Sequence, residues 1–111
     1  SPLAAGAISG KYLGGVLPKG TRGAVAGSAY RNNQYTEPAI RAYMALADKH
    51  GLDVCQMAID FCLTKPFMTS VIIGATTMEQ LQVNIAAADL TLSREVLDDI
   101  QQIFMRYPRT L

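Results

Sequence analysis

Apolar residues recur at helical spacing four times between Thr36 and Pro108, with one interruption. Ile40, Tyr43, Met44 and Ala47 mark one face of a first helix. Thr36 can cap it, Pro38 is tolerated in its first turn, and Gly51 ends it. Asp53 with Gln56 makes a capping-box-like start for a second helix. Its stripe is Val54, Met57, Ala58, Phe61 and Cys62, and Pro66 stops it. Thr76 or Thr77 caps a third, expected to bury Leu81, Ile85 and Ala88. Ser93 caps a fourth, with Val96, Leu97, Ile100, Ile103 and Phe104 inward, and Pro108 ends it. The interruption is Thr69 to Ile73, whose Val-Ile-Ile run is apolar on both faces. That pattern predicts a strand buried between layers or inside a barrel.

The first third is different. Residues 1–12 are small and glycine-rich, and residues 13–36 read as loop, with Gly14-Gly15, Pro18, Gly20, Gly23, Gly27 and Asn32-Asn33. A loop of that length in a compact domain is usually functional or disordered. No repeat or low-complexity segment is visible. The pattern therefore yields four helices and one strand. A lone strand leaves its edge N–H and C=O groups unpaired. It is expected to pair with another chain, or the chain is a piece of something larger.

Composition narrows the function classes. A chain of 111 residues, half of them apolar, is one domain at most and can bury a core. A formal net charge of +1 argues against a nucleic-acid binder. The charge is unevenly spread: no Asp or Glu precedes Glu37, while Lys11, Lys19, Arg22 and Arg31 all do. A positive first third suits an anionic small ligand; the alternative is a solvated loop whose acidic partners lie elsewhere. Cys55 and Cys62 sit seven apart on one predicted helix. Two helical turns separate them by ~10 Å, and a disulfide needs less than ~7 Å. They read as buried thiols in a reducing compartment, so a cytoplasmic location is expected. There is no Cys/His cluster for a metal. No apolar run approaches the ~20 residues of a membrane span, and nothing resembles a signal peptide.

Two segments carry candidate chemistry. Val71 to Asn84 reads as a strand, a turn at Gly74 and a helix start, a junction that aims backbone N–H groups and a helix dipole at one spot and so suits a phosphate. Ser1-Pro2-Leu3-Ala4 and Gly10-Lys11-Tyr12 open the chain as if in mid-fold. In this order, with Asp89-Leu90-Thr91-Leu92-Ser93 before the last helix, the chain resembles the last third of an aldo-keto reductase. The wording is nearest the bacterial NADP(H)-dependent branch, which is related to the potassium channel β-subunits. The resemblance implies an α/β fold: the helix-rich C-terminal third of a (β/α)8 TIM barrel, unable to close a barrel alone. Residues 1–36 would be the cofactor loop after barrel strand seven, and 37–66 two helices. Residues 69–92 would be the last strand and its helix, and 93–108 the closing helix.

The resemblance also implies a site for NADP(H). Ser1 and Leu3 would line the ribose and pyrophosphate. Lys11 would supply a point charge for phosphate, and Thr21 and Arg22 would grip a phosphate from a mobile loop. Gly74 would let the backbone approach the ligand, and Thr76 would offer a hydroxyl and an N–H. Gln80 and Asn84, four apart on one helix face, would reach the adenosine together; an ordinary solvated face is the alternative. Val83 stands where the family often has Glu, and Gln80 where one branch has Arg. Residues Gly23 to Tyr35 and the tail Arg109-Thr110-Leu111 diverge from the family. The proton-handling Asp, Tyr, Lys and His of such enzymes would precede Ser1. No catalytic role falls on Tyr12 or His50, the latter reading as a helix C-terminal residue favoured by the dipole.

Three functions remain open. The first is the cofactor-binding portion of a reductase of aldehydes or ketones, inactive by itself. The second is a non-enzymatic helical fragment that pairs Val71, Ile72 and Ile73 with a partner, a second copy or the missing barrel half. The third, a stand-alone nucleotide binder, lacks a P-loop or G-x-G-x-x-G.

Overall fold

A computed structural model describes residues 1–28 and 33–108. Arg31, Asn32 and the tail Arg109-Thr110-Leu111 lie outside the described residues. A 3-10 turn spans Ala4–Ser9 and a shorter one Leu13–Gly15. Five α-helices follow: α1, Arg22–Ala26; α2, Thr36–Lys49; α3, Val54–Leu63; α4, Met78–Ala86; and α5, Arg94–Arg106. A 3-10 turn at Ala87–Asp89 extends α4.

Several ends follow local chemistry. Asp53 accepts from the N–H groups of Cys55 (2.8 Å) and Gln56 (3.0 Å), Thr77 from Gln80 (3.1 Å) and Ser93 from Val96 (3.2 Å). Of the two candidate caps before α4, Thr77 does the work. Thr36 is not a cap: Tyr35 holds that position and Thr36 is the fully buried first residue of α2. Residues 13–36 are not loop throughout, because Thr21 caps α1.

The main core lies between α2, α3 and α5. Leu46, Ala47, Met57, Leu92, Val96 and Ile100 are buried together. Full burial of a side chain such as Met57 is worth about 1.5–3 kcal/mol. A second cluster, Ala7, Tyr12 and Ile40, fastens the N-terminal turns to α2. Glu37 adds a polar tie, its carboxylate accepting from the Gly14 N–H at 2.7 Å.

The helical stripes need correction where packing overrides sequence. On α3, Ile59 and Asp60 are buried beside Met57, while Val54, Ala58, Phe61 and Cys62 are half-buried. Asp60 reaches core depth because its Oδ2 accepts from the buried Leu92 N–H at 3.1 Å. On α4 the buried residue is Asn84, followed by Ala87 in the next turn; Leu81 is half-buried, and Ile85 and Ala88 are exposed. That face turns toward α3, whose Gln56 Nε2 donates to the Val83 carbonyl at 3.1 Å. On α5, Phe104 is exposed rather than inward.

The expected strand is the largest departure. Residues 69–75 carry no strand, and no strand occurs among the described residues. Ile72 is 88% exposed. A β-branched run favours a strand only through neighbours on the pleated surface. With no second strand to complete the ladder, Val71-Ile72-Ile73 stays irregular. The chain is helix-rich as expected, and its α/β character is not expressed in the described residues.

Candidate functional site

Residues from both ends of the fold border one cleft of about 480 Å³. Ser1 and Leu3 come from the N-terminal turn, Lys11 from the residue after Gly10, and Thr21 and Arg22 from the start of α1. Gly74 and Thr76 come from the segment before α4, and Gln80 and Asn84 from α4 itself. All nine residues expected to bind the cofactor therefore meet at one place.

Each wall has a local cause. Gly6 holds φ +93°, a region glycine occupies without steric cost. A Cβ there would lie 2.9 Å from Lys11 Cε, so the bare backbone lets the Lys11 stem cross it. The adjacent Ala4 and Ala5 also have positive φ, at 48° and 58°. Two consecutive alanines in that region mark backbone strain at the cleft edge.

On the opposite wall, Gln80 Oε1 accepts from both the Thr76 N–H (2.9 Å) and the Thr76 hydroxyl (3.1 Å). Asn84 Nδ2 donates to the Gly74 carbonyl at 3.3 Å. The two amides thus fix the 74–76 turn onto α4. Asn84, only 5% exposed, does not belong to a solvated face. A Cβ at Gly74 would meet nothing within 4 Å, so space beside that backbone is open to a ligand.

Charge divides the cleft. Lys11 and Arg22 lie on the N-terminal side and Glu79 on the α4 side. Thr21 is not on an irregular loop: its Oγ1 accepts from the Ala24 N–H at 3.3 Å and donates to the Pro18 carbonyl at 2.6 Å. Tyr12 does not line the cleft. It is fully buried and its hydroxyl accepts from the Gly23 N–H at 3.1 Å. Burial raises the phenol pKa, but the Gly23 amide, the Thr21 hydroxyl and the Lys11 ammonium together bring it below its ordinary value.

Cys55 is a cleft residue that the sequence pattern did not reveal. It sits at the start of α3, and only the packing of α3 brings it to the cleft. Burial, reinforced by the Asp53 carboxylate, pushes its thiol up to about 11. It is a protonated wall residue rather than a nucleophile.

Donor atoms of His50, Glu95 and Asp99 lie within 4.8 Å of one another. His50 Nε2 is 3.4 Å and Lys49 Nζ 3.3 Å from Asp99 Oδ2, so a lysine ammonium already occupies the cation's place. This is an ion-pair cluster joining the end of α2 to α5. The sequence could not show it, because its members meet only through that helix pair. No helix among the described residues is long and apolar enough to cross a membrane.

Comparison with known proteins assigns the class. The family model described as the Aldo/keto reductase family matches residues 1–104, and the chain belongs to that family. It is 41% identical over 108 residues to Protein tas of Escherichia coli K12, an alignment covering 96% of this chain and 31% of that protein. It is 36% identical over 115 residues to a probable voltage-gated potassium channel subunit beta of Arabidopsis thaliana, covering 98% of this chain and 35% of that protein. It is 36% identical over 109 residues to an L-glyceraldehyde 3-phosphate reductase of Escherichia coli O157:H7, covering 92% and 31%. The chain thus spans about a third of the length of these curated relatives.

Proposed function

We propose that this chain is the C-terminal, cofactor-holding portion of an NADP(H)-dependent aldo-keto reductase that converts aldehydes or ketones to alcohols. The supporting observation is the convergence of Ser1, Leu3, Lys11, Thr21, Arg22, Gly74, Thr76, Gln80 and Asn84 on one cleft. The cleft suits a dinucleotide chemically. Lys11 and Arg22 answer the pyrophosphate charge, Arg22 with a planar fork that matches phosphate oxygens. Open backbone at Gly74 admits close approach, and Thr76, Gln80 and Asn84 present a braced polar wall to the adenosine side. When bound, NADPH supplies the hydride delivered to the carbonyl carbon. This chain's residues bind and orient; none is assigned the proton transfer, and Tyr12 is committed to Gly23. The chain alone is therefore expected to turn over no aldehyde.

The test is titration with NADPH followed by nucleotide fluorescence. Saturable binding that weakens on Arg22→Ala and on Gln80→Ala supports the assignment. Binding indifferent to both changes refutes it.

A second reading is favoured by the apolar surface. Phe67 and Ile72 are 78% and 88% exposed. An apolar groove of about 430 Å³ runs between Ala4, Ala5 and Ile8 and the helix residues Tyr43, Met57, Phe61 and Ile100. The alternative is an interaction module that pairs with a second copy or with the rest of a barrel. A compact, cooperative monomer of the chain in sedimentation would count against it.

A further inference from the structure

Helix α1 has five residues, too few to persist without tertiary support. Ala24, Val25 and Ala26 are exposed, Val25 by 87%. Its single buried residue is Gly23, which rests on Tyr12. The Gly23 N–H donates to the Tyr12 hydroxyl, and a Cβ at position 23 would stand 2.8 Å from the Tyr12 ring. Tyr12 in turn is immobilised against Ala7 and Ile40. The neighbours of these two residues are the two cations of the cleft: Lys11 precedes Tyr12, with its ammonium 5.2 Å from the ring centroid, and Arg22 precedes Gly23.

We propose that the Tyr12 hydroxyl and the Gly23 amide form a latch that sets Arg22 at the cleft on the same side as Lys11, making Tyr12 a positioning residue for the anionic ligand. This rests on the cofactor reading above. A phenylalanine would fill the same core space, so the hydroxyl has a task beyond packing. Without it, α1 loses the hydrogen bond that ties its one buried residue to the core, and Arg22 samples positions away from the ligand.

The experiment uses the full-length protein, NADPH as probe, and the variants Tyr12→Phe, Arg22→Ala and their combination. Tyr12→Phe retains the ring, and its melting curve is expected to fall only modestly, because a released α1 can turn the Gly23 N–H to water. Its dissociation constant for NADPH should rise about fivefold, the effect of one lost hydrogen bond, and mainly through faster dissociation. In the Arg22→Ala background the same change should have a clearly smaller effect, because Arg22 is no longer there to be positioned. An unchanged dissociation constant in Tyr12→Phe overturns the latch. So does an equal loss with and without Arg22, which would mark a merely structural role. If Arg22→Ala alone leaves NADPH binding intact, the cofactor reading at this end of the cleft fails, and the latch with it. Gly23→Ala is the second variant: it intrudes on the Tyr12 ring and should reproduce the Tyr12→Phe phenotype.

Discussion

Asp60 gives the sharpest test of how this chain holds together. Its carboxylate is 7% exposed and accepts from the Leu92 N–H at 3.1 Å, where Leu92 is itself core. The bond joins the last turns of α3 to the segment entering α5. Asp60→Ala removes the acceptor and leaves a buried N–H with no partner. A hydrogen bond to a charged group is worth about 1.5–3 kcal/mol, and a stranded buried donor costs a similar amount. The expected destabilisation is therefore about 2–3 kcal/mol. Asp60→Asn keeps a carbonyl acceptor but not the charge, so its cost should be near 1 kcal/mol, typical of a neutral bond. With a urea slope of about 1–3 kcal/mol/M, the alanine variant should lose roughly 1–2 M in its unfolding midpoint. Equilibrium urea denaturation followed by far-ultraviolet circular dichroism reads both variants. The reasoning fails if Asp60→Ala falls within about 0.5 kcal/mol of the parent, the range of ordinary surface substitutions. It also fails if Asn and Ala cost the same, for then the retained acceptor has no role.

An ion pair and a strained turn give two further tests. Asp99 has its pKa lowered by hydrogen bonds from His50 and Lys49. A depressed carboxylate adds stability that is present above its unfolded pKa, about 3.9, and lost as pH falls through the folded value. Asp99→Asn should accordingly flatten the acid limb of the stability–pH curve, and an unchanged limb would show that the pairing contributes nothing. At the cleft edge, Ala5→Gly at φ 58° should raise stability by about 0.5–1 kcal/mol, since relief of left-handed strain of about 1–2 kcal/mol exceeds the added unfolded-chain entropy of glycine; a fall in melting temperature would refute the strain.

Local chemistry was legible in the sequence. Asp53, Thr77 and Ser93 act as caps because each needs only N–H groups two or three residues ahead. The nine residues that line one cleft were expected only through the resemblance to the aldo-keto reductases, not from local chemistry alone. What the sequence could not carry is anything that depends on a distant partner. Asn84 looks like a solvated amide until Gly74 folds back onto it, and Asp60 looks like surface until Leu92 supplies its donor. Cys55 becomes a cleft wall only when α3 packs beneath α4. The Val71–Ile73 run shows the same limit from the other side. Its propensity is real, but a strand is a property of two chains of backbone in register, and among the described residues the second is not there. Caps and periodicity are set within a few residues, so sequence determines them. Burial, register and the meeting of charges across the cleft are set by packing, so only the tertiary structure decides them.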